Sequence, residues 1–259
     1  EIFQAYQETI EHYKRLFDIQ PQALACDLHP EYLSGKYAAG IDLPLVKVQH
    51  HHAHIASVLA EHGCREKVLG VAFDGTGYGP DGNLWGGEFL LADLAGYERL
   101  GHCRYLPLPG GAKAIREPWR QAAWVMQQLY GDAFVSRQPV FARQLPAGFE
   151  LVLQATAAGI NAPLTSSAGR LFDMASALLG LRLYNTFEGQ AAITLEQIAD
   201  DTEQDAYEFA ILREDGRWIY DWRPVVKRAI LDAANGVPAG NISMRFHRGL
   251  AKLLGTAAE

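Results

Sequence analysis

Four of the chain's nine histidines fall within five positions, in the stretch Val48-Gln49-His50-His51-His52-Ala53-His54. His50 and His54 are four apart, so on a helix they share one face and their imidazoles can grip one ion. His51 and His52 are expected to project elsewhere. Asp74 follows twenty residues after His54, at the end of the apolar run Val68-Leu69-Gly70-Val71-Ala72-Phe73. Neutral imidazole suits zinc, iron, nickel and copper, and a carboxylate after a neighbouring strand can complete a nitrogen and oxygen donor set. A lone histidine more often caps a helix or bonds locally. Four in this order, ahead of a strand-end acid, favour metal or substrate binding.

Two further stretches carry chemistry. Asp74-Gly75-Thr76-Gly77-Tyr78-Gly79-Pro80-Asp81-Gly82-Asn83 holds four glycines, and the amides of Gly75, Thr76, Gly77 and Gly79 could cradle phosphate oxygens. It lacks the Gly-Lys-Ser/Thr of phosphate loops, and a returning strand follows it where a dinucleotide fingerprint needs a helix. A plain hairpin turn explains it equally well. In Ser166-Ser167-Ala168-Gly169-Arg170-Leu171-Phe172-Asp173, small residues ahead of a helix leave its first amides open to an anion. Arg170 adds positive charge, and Asp173 could accept from ribose hydroxyls. The duller account is a capping segment with an exposed ion pair. Glu188, in Asn185-Thr186-Phe187-Glu188-Gly189-Gln190, opens the next helix, where an acid is stabilised by the helix dipole.

The elements that must position these groups follow from periodicity. Residues 1–18 read as an amphipathic helix that begins without a capping residue, as if cut from something longer. Short strands are expected at Ala23–Cys26 and Leu45–Val48, then a helix from the histidines to a cap at Gly63. Val68–Phe73, a glycine loop and Glu88–Asp93 predict a hairpin. Helices are expected from Pro118 to Gly131, Phe149 to Ala158, Ser166 to Gly180, Glu188 to Ala199, Pro224 to Ala234 and Ile242 to Leu254. Tyr207–Leu212 and Trp218–Asp221 read as an exposed hairpin. Strands cluster early and helices late, which predicts an α/β lobe over 1–110 and a mainly helical part with a small hairpin over 111–259.

At 259 residues, 49% apolar and 20% charged, the composition is that of an ordinary globular protein. A net charge of -7 argues against nucleic acid as a partner. Three scattered cysteines, with no Cys-x-x-Cys, suit a reducing compartment. With neither a signal peptide nor an apolar run near the roughly 20 residues of a membrane span, the expected location is cytoplasmic.

Six stretches, in order over about three quarters of the chain, resemble the C-terminal carbamoyltransferase domain of the HypF family of nickel–iron hydrogenase maturation proteins. They are Cys26-Asp27-Leu28-His29-Pro30, His50 to His54, Phe73 to Gly79, Trp85-Gly86-Gly87-Glu88, Ser166 to Asp173 and Tyr184 to Ala191. A more distant similarity is to tRNA threonylcarbamoyl transferases of the TsaD family and to antibiotic O-carbamoyltransferases. The resemblance implies an α/β fold of the actin/sugar-kinase/Hsp70 type with two lobes around a nucleotide cleft. It implies His50, His54 and Asp74 as ligands of a divalent ion, iron or zinc. Asp74 and Glu188 are the expected catalytic residues. Gly75, Thr76, Gly77, Gly79, Ser167, Gly169, Arg170 and Asp173 are the expected nucleotide contacts. The implied reaction passes a carbamoyl group from carbamoyl-adenylate, made from carbamoyl phosphate and ATP, to the C-terminal cysteine of a HypE-type partner. The alternatives are a tRNA-modifying transferase and a binding module without turnover. The family's Gly-Gly-x-x-Lys segment and its later Ser-Gly-Gly and Asp-Gly-Gly segments are not in this sequence, so slow transfer and self-association are expected of it alone.

Overall fold

The computed structural model describes residues 1–258, the side chains of Asp132 and Pro139 aside. The chain opens with α1 (Ile2–Leu16), β1 (Leu24–Asp27), α2 (Leu33–Ala39), β2 (Leu45–Val48) and α3 (His50–Glu61). β1 and β2 pair in parallel, from Leu24 opposite Leu45 to Asp27 opposite Val48. A parallel pair needs a crossover, which α2 supplies. Both strands therefore end side by side, one delivering Asp27 and the other Gln49 with the histidines behind it. Gln49 caps α3, its side-chain oxygen accepting from the His52 amide at 2.9 Å, which satisfies one of the free donors of the first turn.

β3 (Val68–Tyr78), β4 (Leu84–Ala92) and β5 (Tyr97–Cys103) follow as an antiparallel meander, then β6 (Leu106–Pro107). Next come α4 (Lys113–Arg116), α5 (Trp119–Tyr130), α6 (Phe134–Arg137), α7 (Pro139–Ala142), α8 (Phe149–Ala157) and β7 (Leu164–Thr165). The chain continues through α9 (Ala168–Leu178), α10 (Gln190–Gln197), β8 (Ala210–Glu214), β9 (Arg217–Asp221), α11 (Arg223–Ala234) and α12 (Ala239–Ala258). The main sheet runs β6-β7-β4-β5-β9-β8, with β3 on β4, so strands from both sides of residue 110 share it. Among the described residues no helix is long and apolar enough to cross a membrane.

Two expectations need correction. The glycine stretch is not a loop, because β3 runs on through it to Tyr78. Pairing with β4 holds to Phe73 opposite Gly87 and resumes at Gly77 opposite Trp85, four steps along β3 against two along β4. The surplus at Asp74–Thr76 makes a bulge, the device by which a strand re-aims a side chain. The turn proper is confined to Gly79–Asn83, where the Gly79 amide donates to the Asn83 carbonyl at 2.8 Å and Gly82 takes a φ of +80°. The second hairpin is not an exposed appendage either. β9 adds in parallel to β5, burying Ile219, Tyr220 and Asp221. The Tyr220 ring lies 4.2 Å from that of Phe89, and this aromatic burial holds the strand in the sheet.

The larger core joins α5, α9, α11 and α12 to the inner face of β4, β5 and β9, around Phe89, Met126, Leu171, Met174, Tyr220 and Phe246. A smaller one, of Ile55, Leu59, Ala72, Trp85, Leu90 and Ala92, seats α3 on β3 and β4. Gly70 allows that seating, since a methyl there would overlap the Ile55 side chain. Gly70→Ala is expected to lower stability by about 1–3 kcal/mol through overpacking. Thermal unfolding measures it, and an unchanged midpoint would contradict the close seating.

Candidate functional site

The ends of β1 and β2, the start of α3 and the bulge of β3 converge. His50 Nε2 lies 3.0 Å from Asp74 Oδ2 and 3.1 Å from His54 Nε2, and His54 Nε2 lies 3.5 Å from the same carboxylate oxygen. One ligand atom from each residue lies within 4.8 Å of the others. His54 is exposed and the other two are half-buried. The helical spacing brings the two histidines together, and the bulge turns Asp74 toward them.

Asp27 completes the arrangement, and the sequence offered it no role. Its Oδ2 lies 2.9 Å from His50 Nδ1. When Nδ1–H donates there, Nε2 presents its lone pair to the cluster, the tautomer that a metal ligand needs. Two imidazole nitrogens and a carboxylate oxygen facing one point concentrate lone pairs that repel unless a cation shares them. Atoms about 2.1 Å from one zinc-like ion stand roughly 3.0–3.4 Å apart, close to the spacings here. The residues therefore fit a divalent cation.

His51 departs from the helical-face expectation. It does not project away; it lies wholly buried under the cluster, with Nε2 3.9 Å from Asp74 Oδ2. The reason is Gly77, where a methyl would stand 2.5 Å from His51 Cε1 and 2.8 Å from His50 Cβ. The missing side chain leaves the hollow that His51 fills. His52 does project elsewhere, its Nε2 lying 2.8 Å from the Asp93 carbonyl.

Burial lowers the His51 pKa from 6.5 to about 4, against the opposing pull of Glu88 and Asp74. The folded chain thus takes up this proton less readily than the unfolded one. Stability is unaffected by it above pH 6.5 and is lost as pH falls toward 4. At about 1.4 kcal/mol per pH unit the loss comes to about 3 kcal/mol. Urea midpoints measured across that range should fall with acid, and His51→Phe should flatten the slope.

The other expected contacts gather on the far side of the bulge. Ser167 caps α9, accepting from the Arg170 amide at 3.2 Å while its hydroxyl donates to the Asp74 carbonyl at 2.8 Å. Gly169 packs on the bulge, where a methyl would lie 3.3 Å from Gly75 Cα. A methyl at Gly75 would lie 3.4 Å from Arg170 Nη2 and 4.0 Å from Glu188 Oε1, so these groups flank one backbone position. Thr76 turns its hydroxyl to the Gly75 carbonyl. Gly79 leaves room for the Trp85 indole. The ion pair is not the exposed one of the duller account. Arg170 and Asp173 are buried, 2.5 Å apart but not aligned as a hydrogen bond. Burial raises the Asp173 pKa, with Arg170 opposing. Glu188 is exposed, in the turn before α10.

Behind the bulge lies a network that sequence reading did not anticipate. Glu88 is fully buried, and Arg99 Nε donates to its Oε2 at 2.6 Å. Its Oε1 accepts from the Ser166 hydroxyl at 2.5 Å and from the Gly86 and Gly87 amides at 3.2 and 3.3 Å. Arg99 also lies over the Trp85 ring at 3.8 Å and donates to Asp81 and Tyr105. Burial pushes Asp81 up, but bonds from Tyr105, the Asn83 amide, Trp85 and Arg99 outweigh it and hold its pKa low. The network joins β4, β5, the hairpin tip and the start of α9.

Residues 1–61 match the HypF Kae1-like domain, and residues 70–259 match the second subdomain of the carbamoyltransferase Kae1-like domain. Carbamoyltransferase HypF of Synechocystis sp. is 38% identical over 272 residues, covering 99% of this chain and 35% of that protein. Carbamoyltransferase HypF2 of Cupriavidus necator is 49% identical over 198 residues, covering 74% of this chain and 24% of that protein. The crystal structure of full-length HypF in the phosphate- and nucleotide-bound form superposes with a TM-score of 0.91 at 41% identity, covering 99% of this chain and 40% of that one. The HypF of T. kodakarensis gives 0.84 at 31%, covering all of this chain and 35% of that one. The chain thus spans about a quarter to two fifths of these relatives. With their Kae1-like domains it shares the α/β fold of the actin/sugar-kinase/Hsp70 type, and it belongs to the HypF family of carbamoyltransferases.

Proposed function

We propose that this chain is a carbamoyl-transfer domain, which passes the carbamoyl group of carbamoyl-adenylate to the C-terminal cysteine of a HypE-type partner. The observation that carries the reading is the convergence of His50, His54 and Asp74 within 4.8 Å beside a bulge flanked by Arg170. In this reading those three residues hold a divalent cation, iron or zinc, and Asp27 fixes the His50 tautomer. When bound, the cation supplies Lewis-acid stabilisation of phosphate oxygen.

The chain's own residues have the remaining tasks. Arg170, though paired with Asp173, keeps its Nη2 toward Gly75, where its positive charge offsets that of an adenylate phosphate. The backbone of the bulge from Gly75 through Thr76 to Gly77 and the capped start of α9 at Ser167 and Gly169 orient the donor, while the Gly79 amide is taken by the Asn83 carbonyl in the turn. The acceptor sulfur attacks the carbamoyl carbon, a carbon–sulfur bond forms and the bond to the phosphate oxygen of AMP breaks. The thiol proton goes to Glu188, an exposed carboxylate whose Oε1 would lie 4.0 Å from a methyl at Gly75. Membership of the HypF family favours this acceptor over tRNA.

Single-turnover transfer from carbamoyl-adenylate to a peptide ending in cysteine tests the proposal. A thiocarbamate on the peptide, with release of AMP, is the expected result. Nucleotide binding with no transfer to the peptide would leave a binding module instead, and modification of tRNA adenosine would move the chain to the TsaD-like reading.

A further inference from the structure

His51 lies buried beneath the cluster, and its Nε2 has no hydrogen-bond partner among the described residues. Which ring nitrogen carries its proton follows from Gln49. The Gln49 side-chain oxygen accepts the His52 amide as the cap of α3, which fixes the amide's orientation. Its NH2 therefore faces the other way, 3.1 Å from His51 Nδ1 and 3.4 Å from the Tyr78 carbonyl. An amide NH2 only donates, so Nδ1 accepts and the ring proton sits on Nε2. Asp74 Oδ2 lies 3.9 Å from that nitrogen. An ordinary core histidine satisfies both nitrogens, and a buried donor left unpaired is costly. Among the described residues the carboxylate oxygen within 4 Å of His51 Nε2 belongs to Asp74, the group that faces His50 and His54. A shift of about 1 Å closes the gap to hydrogen-bond length.

We propose that His51 is a positioning residue for Asp74, its Nε2–H holding the carboxylate in place for a divalent cation and Gln49 setting the direction of that donor. The inference rests on the cation reading of the cluster. A carboxylate that ligates a metal is ordinarily held by a further hydrogen bond, and losing such a partner weakens metal binding by about 10–100-fold. Gln49 thereby links two tasks, since the oxygen that starts the histidine helix also dictates the proton position under it.

Two measurements test it. Nitrogen-15 spectra of histidine-labelled wild-type protein should give His51 as the Nε2–H tautomer, with a resonance that moves in Asp74→Asn. Titration with Zn2+ should show His51→Phe, which keeps a planar ring but removes both nitrogens, at least ~10-fold weaker than wild type. Gln49→Glu keeps the capping oxygen but removes the NH2 donor, so it should move the proton to Nδ1 and weaken Zn2+ similarly. Circular dichroism establishes that each variant is folded. An Nδ1–H tautomer in wild type, an Nε2–H resonance indifferent to Asp74→Asn, or wild-type Zn2+ affinity in both folded variants would overturn the proposal. Failure of wild type to bind Zn2+ would instead sink the cation reading, and the tautomer and its response to Asp74→Asn would still decide the role of His51.

Discussion

Glu88→Ala is expected to lower stability by about 3–5 kcal/mol, the loss typical of a buried ion pair broken from one side. The magnitude comes from what is left behind. Arg99 is almost completely buried, and its Nε would lose its partner at 2.6 Å. The Ser166 hydroxyl and the Gly86 amide would also lose the acceptor they share. Glu88→Gln, which keeps an acceptor oxygen but removes the charge, should recover part of the loss. Urea unfolding measures both, and a wild-type midpoint for the alanine variant would mean that the network adds nothing. The effect should reach the site as well, because Ser166 precedes the cap residue whose hydroxyl holds the Asp74 carbonyl.

Asp74→Ala should slow single-turnover carbamoyl transfer by at least ~100-fold while leaving the fold intact, the scale seen when one electrostatic stabiliser of a transition state is removed. Among the described residues Asp74 is the group that faces His50, His51 and His54 together. Its side chain is about one third exposed, so truncation leaves no large cavity and stability should change little. The same assay on Glu188→Gln separates cation positioning from proton uptake. Transfer by Asp74→Ala within about 3-fold of wild type would show that the reaction does not depend on the site.

The pairing of His50 with His54 was legible because it rests on the 3.6-residue period alone, and Asp74 because an acid at the end of an apolar strand is a local signal. The path of the chain between Asp74 and Gly79 was not legible. Glycines suggest a loop, yet two extra residues within a continuing strand require a partner strand to be counted against. The same limit hid His51. On an isolated helix its face differs from that of His50, but the hollow at Gly77 lets its ring reach under the cluster. Asp27 stood in a recognised stretch without a role, because its contact with His50 depends on β1 and β2 ending in register. β5 was missed altogether. Tyr97-Glu98-Arg99 does not read as a buried strand until Glu88, eleven residues earlier, supplies the charge that Arg99 needs.

A cation held by His50, His54 and Asp74 is central to the proposed chemistry, and metal content tests it most directly. Protein purified without a tag, exposed to Zn2+ or Fe2+ and dialysed, should retain about one equivalent, and His50→Ala treated identically should retain at least ~10-fold less. No retained metal in the wild-type protein, or equal amounts in the two, would contradict it.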